Sequence, residues 1–103
     1  MKINRYITKG INEHLSLDLQ ISLWNMVKER DNQAHTDYLH IFNLQEDNNM
    51  LSVTHEQEQP AYKLKYHYTN YVKNRNALPK KVYVIREDDV DAFYYVMLLP
   101  EEY

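Results

Sequence analysis

The sequence predicts an α+β fold, a mostly antiparallel sheet with one main amphipathic helix packed on one face. Three observations carry that expectation. A single stretch near the start repeats its apolar residues at helical spacing. A series of β-prone runs, separated by polar turns, follows it. The chain of 103 residues, 44% hydrophobic and 26% charged, suits one hydrophobic core and not two.

Taken in order, Ile3 to Thr8 is short and β-prone, and Lys9-Gly10 offers a turn after a first strand. Ser16 is placed to cap a helix of about residues 16 to 30, in which Leu17, Ile21, Trp24 and Val27 recur at helical spacing. Leu19, Leu23 and Met26 widen the apolar arc, while Asp18, Ser22, Asn25 and Glu29 fall opposite. The expected contact with the sheet runs through Ile21, Trp24 and Val27. Strands are predicted over Tyr38 to Leu44, Met50 to Gln57, Ala61 to Tyr68 and Val82 to Arg86. Pro60 belongs at a strand end or edge, where its missing N–H is harmless, and Asn74 to Lys81 reads as a loop. Aromatic and β-branched content favours strand over helix for Phe93 to Leu99, with Pro100 stopping it. No repeat or low-complexity linker divides the chain, so residues 1–103 are read as one domain.

Composition excludes several chemistries. There is no cysteine, hence no disulfide, thiolate metal site or cysteine nucleophile. The single glycine, Gly10, argues against phosphate-cradling loops and dinucleotide folds. The first residues lack the apolar run of a secretion signal, and the longest apolar run, Ala92 to Leu99, is too short to span a membrane. A cytoplasmic protein without membrane contact is expected.

Charge is segregated. Residues 59–86 hold seven of the twelve basic residues and no Asp or Glu, within a chain of net charge −3. Tyr62, Tyr66, Tyr68 and Tyr71 lie among Lys63, Lys65, Lys73 and Arg75 in that segment, a mixture of stacking rings and phosphate-neutralising cations suited to a partner protein or to single-stranded nucleic acid. On a strand, however, Lys63 and Lys65 share one face with His67 while Tyr62, Leu64, Tyr66 and Tyr68 share the other. The plainer reading is that the tyrosines line the core or its rim and the lysines are a solvated face. Glu87, Asp88, Asp89 and Asp91 form the acidic counterpart, best read as turn residues.

Five histidines raise the question of a metal. The stretch His55-Glu56-Gln57-Glu58-Gln59 begins like a zinc-protease motif but has Gln59 where the second histidine belongs. No metal and no cofactor is expected. No serine or threonine sits in a glycine-flanked elbow, so an enzyme is the minority expectation.

Four patches, Arg5 to Ile11, Leu19 to Trp24, His55 to Tyr62 and Met97 to Tyr103, together resemble a family of small uncharacterised proteins from Gram-positive bacteria, domain of unknown function family 960. The resemblance implies a bacterial cytoplasmic protein, in some cases carried on mobile resistance cassettes, and supplies no reaction or catalytic residue. The His55 to Tyr62 patch looks like the family's most characteristic segment, which makes His55, Gln57 and Glu58 candidates for a polar binding patch. The expectation for function is a non-catalytic binding module whose partner is another protein or a second copy of itself. Single-stranded nucleic-acid binding through residues 59–86 is the alternative, and an enzyme of unknown class stands behind both.

Overall fold

The computed structural model describes residues 4–33, 38–47, 50–68, 78–88 and 92–103. Six strands form one sheet: β1 (Asn4–Ile7), β2 (Leu39–Asp47), β3 (Met50–Gln57), β4 (Tyr62–Tyr68), β5 (Lys81–Asp88) and β6 (Phe93–Leu98), in the order β1-β6-β5-β2-β3-β4. All pairings are antiparallel except β1 with β6, which run parallel. Each predicted strand is present, and the α+β architecture is the expected one. Pro60 lies in the turn from β3 to edge strand β4 and follows a cis peptide bond.

One element differs from expectation at the start. Lys9-Gly10 is not a turn but the first part of a short helix, α1 (Lys9–His14). Thr8 has an extended backbone, and its hydroxyl accepts a hydrogen bond from the Ile11 N–H, which is how an N-cap starts a helix. Ile11 and Leu15 then enter the core.

The main helix, α2 (Leu17–Asp31), starts where Ser16 predicted it, the serine hydroxyl accepting from the Leu19 N–H. Its buried face is turned from the expected one, keeping Val27 inside and Trp24 at the rim but leaving Ile21 out. Leu19, Leu23, Met26, Val27 and Arg30 are buried; Ile21 is 49% exposed, Leu17 69%, and Trp24 only partly covered. Apolar residues surround most of this helix, so periodicity alone does not select the inward side. The sheet selects it, through the surface offered by Phe42, Leu44, Leu51, Val53, Val82, Val84, Tyr95 and Met97. Leu23, Phe42, Val53 and Val84 are completely buried, and each such side chain contributes roughly 1.5–3 kcal/mol by leaving water.

The side chains of the opposite sheet face follow from alternation and register. Tyr6 stands beside Val96, Val96 beside Ile85, and Ile85 beside Leu39. Ile85 and Leu98 are buried yet stand apart from the helix-side core. No described helix is long and apolar enough to cross a membrane.

Candidate functional site

The residues singled out in the sequence separate once the sheet forms. Tyr62, Tyr66 and Tyr68 of β4 stand opposite Gln57, Val53 and Leu51, on the helix side, and Tyr66 and Tyr68 pack against the core. Lys63 and Lys65 project from the other face, paired in register with Glu56 and Thr54; the Lys63 ammonium lies 3.4 Å from Glu56. With Lys63 73% exposed, that ion pair contributes little. Tyr71, Lys73 and Arg75 lie outside the described residues, as do Asp89 and Asp91. Of the polar patch, only Glu58 is at the surface. His55 is 0% exposed and Gln57 4%, so neither presents its side chain to a partner. The reason is strand alternation: Leu51, Val53, His55 and Gln57 all point inward.

His55 does not approach His67, which lies on the other face near Ser52. It meets His40 instead. His40 of β2 follows the inward register of Phe42 and Leu44, and its Nδ1 lies 2.8 Å from His55 Nε2. Only one of these facing nitrogens can carry the shared proton. On its far side, His40 Nε2 lies 3.4 Å from the Asp31 carboxylate at the end of α2, and Asp31 also accepts a hydrogen bond from the Tyr95 hydroxyl. The Arg30 Nε–H donates to Gln57 Oε1 at 2.8 Å, and the Arg30 guanidinium lies over the Tyr62 ring at 4.1 Å. This network pins the last turn of α2 to β2, β3, β4 and β6. Burial, reinforced by His40 and Arg30, pushes the His55 pKa from 6.5 down to about 3, so the ring is held neutral, sandwiched beside Phe42 with ring centroids 4.5 Å apart. Burial first, and then the hydrogen bond to Asp31, raise the pKa of Tyr95. Arg30, Asp31 and His40 were not singled out in the sequence; the inward alternation His40-Phe42-Leu44 was the available signal for the histidine.

Among the described residues, no group of three His, Asp or Glu side chains is arranged to hold a metal. Asp31 keeps 24% of its side chain exposed and His55 Nδ1 is buried without a hydrogen-bond partner, while the remaining contacts tie the end of α2 to the sheet.

The surface that remains open is the sheet face away from α2. Its β1, β6, β5 and β2 part carries Tyr6, Tyr94, Val96, Leu39, Tyr83 and Ile41 around the buried Ile85 and Leu98; its β3 and β4 part carries Thr54, Glu56, Lys63 and Lys65. Tyr6 is 52% exposed and meets Tyr94 edge-on, with centroids 5.5 Å apart. Tyr83 is met edge-on by Tyr103.

A family model described as a staphylococcal protein of unknown function, DUF960, matches residues 4–102. The chain belongs to the DUF960 family. It is also similar to a protein of unknown function from Enterococcus faecalis whose crystal structure is solved: 22% of residues are identical, the match covers 98% of this chain and 91% of that one, and the TM-score is 0.79, a likeness of fold. No curated protein matches.

In this DUF960 chain the first and last resemblance patches meet. The Glu102 carboxylate accepts from the Thr8 hydroxyl at 2.6 Å, the Gly10 N–H at 3.1 Å and the Leu99 N–H at 2.9 Å. These bonds, that from Thr8 foremost, hold its carboxyl below the usual range. A Cβ on Gly10 would come within 2.7 Å of Leu99 Cδ1 and 2.8 Å of Glu102 Oε1, so the lone glycine serves close packing of the two chain ends.

Proposed function

We propose that this DUF960 protein is a non-catalytic binding module that works through the open face of its sheet, with a second copy of the chain as its partner. The observation that carries the reading is the apolar, tyrosine-rich half of that face, which α2 leaves uncovered. Tyrosine supplies large contact area at low conformational cost and is enriched where proteins meet. A molecule of 44 × 28 × 24 Å has a broad enough face for the roughly 800 Å² per partner that a stable interface needs. Single-stranded nucleic acid is the less supported partner, because Tyr62, Tyr66 and Tyr68 lie on the face opposite Lys63 and Lys65. A cytoplasmic accessory role on a mobile element is part of the proposal, and rests on what the sequence resemblance implies and on the lack of cysteine.

Light scattering across a concentration series tests the reading. The expected result is a dimer that dissociates on dilution and on Tyr6→Lys substitution. A monomer at every concentration, with no change on Tyr6→Lys, would overturn it.

A further inference from the structure

We propose that the groove between α2 and edge strand β4 is a binding site for an arginine side chain of a partner protein, with Tyr66 and Tyr68 as its aromatic wall and Glu29 as its counter-charge. The site is separate from the open sheet face and does not depend on it. The groove has a volume of about 430 Å³ and is lined by Ser22, Asn25, Met26 and Glu29 of α2 and by Tyr66 and Tyr68 of β4.

Four observations select a cation as the occupant. First, the lining contains one carboxylate and no basic residue. Second, Glu29 has no ion-pair partner among the described residues, in contrast to Glu13, Glu56 and Asp88. Third, the helix-side tyrosines of β4 already hold one guanidinium: Arg30 lies over the Tyr62 ring at 4.1 Å, while no described cation lies over Tyr66 or Tyr68. Fourth, Glu29 bears electrostatically on Tyr66, whose pKa is pushed up to about 12 by burial first, by Tyr62 next and by Glu29 in part. The groove therefore repeats, one turn back along α2, the arrangement that Arg30 and Tyr62 complete within the chain.

The chemistry favours arginine. A planar guanidinium stacks on tyrosine faces and donates two parallel N–H bonds to a carboxylate. Ser22 and Asn25 offer acceptors for its remaining N–H groups. Met26 meets the aliphatic stem, as a flexible thioether does well.

The test is a titration of the full chain with N-acetyl-arginine amide, followed through backbone and side-chain NMR shifts, with N-acetyl-citrulline amide as the uncharged isostere. Arginine amide is expected to shift Ser22, Asn25, Glu29, Tyr66 and Tyr68 in a saturable way. Citrulline amide should bind at least about five-fold more weakly, given roughly 1 kcal/mol for a cation–π contact. Glu29→Gln, at an exposed helical position that tolerates the change, should weaken arginine amide by about three-fold or more while leaving the fold's spectrum intact. Tyr68→Leu should weaken it similarly. Absence of saturable shifts, equal shifts with citrulline, or full affinity in Glu29→Gln would each overturn the site.

Discussion

The two faces of the sheet are built from the same alternating strands and have opposite fates. On the helix side, Phe42, Val53, Val84 and Met97 are completely buried. On the far side, Tyr6 is 52% exposed, and Leu39, Ile41, Tyr83, Tyr94 and Val96 are only partly covered. The helix-side face also takes in polar groups, His40, His55, Gln57 and Arg30, each with a hydrogen-bonded or ring partner; the far face carries Thr54, Glu56, Lys63 and Lys65 on β3 and β4, and Asn43, Lys81 and Glu87 on β2 and β5. The lesson is that apolar content alone does not mark the core here: coverage by α2 builds the main cluster, while Ile85 and Leu98 of the far face are buried apart from it. Side chains under the helix should govern stability, and those on the far face should govern association.

The sharpest way to break that comparison is in the core. Leu23→Ala, at a completely buried position, is expected to cost about 2–5 kcal/mol and to lower the melting temperature by more than about 10 °C. Trp24→Ala, at a partly covered position, should cost about half as much despite the larger side chain. Equal losses in a denaturant titration would mean that α2 sits rotated from the orientation described.

The buried network gives the next effect. His55 is depressed in the fold relative to the unfolded chain, so between pH 6.5 and about 3 the unfolded chain takes up a proton that the fold refuses. The stability this supplies is fully present above pH 6.5 and is lost as pH falls toward 3. By pH 5 the loss should be about 2 kcal/mol. Unfolding titrations at pH 7 and pH 5 measure it, and a His55→Gln variant should show a flatter dependence.

A smaller effect belongs to the joined chain ends. Thr8→Ala removes both the cap of α1 and a hydrogen bond to Glu102, and about 1 kcal/mol is expected from thermal melts. Smallest of all is Tyr6→Lys on the far face, where stability should stay within about 0.5 kcal/mol while self-association is lost. A large loss of stability at Tyr6 would move that face from the association side of the comparison to the folding side.

Much of the fold was legible in the residues. Ser16 located the start of α2, alternation and polar turns located the strands, and Pro60 fell beside an edge strand, outside the ladder, as expected. Gly10 was misread because a glycine following a Thr cap serves a helix start as readily as a turn, and only contact with Leu99 and Glu102 distinguishes the two. The candidate site was legible only in part. Strand alternation separated Lys63 and Lys65 from Tyr62, Tyr66 and Tyr68, as the structure has them. The same alternation carried His55 and Gln57 inward with Val53, against their reading as a surface patch.

By itself, then, the sequence determined the strands, the main helix, their order and the side of β4 on which each tyrosine stands, because these depend on spacing and local backbone chemistry. Tertiary structure decided which side of α2 faces inward, that His40 meets His55, and that Arg30 fills Tyr62 while Tyr66 and Tyr68 line an open groove. Those outcomes depend on strand register and on how one helix lies across several strands, relations between residues far apart in the chain that no local period encodes.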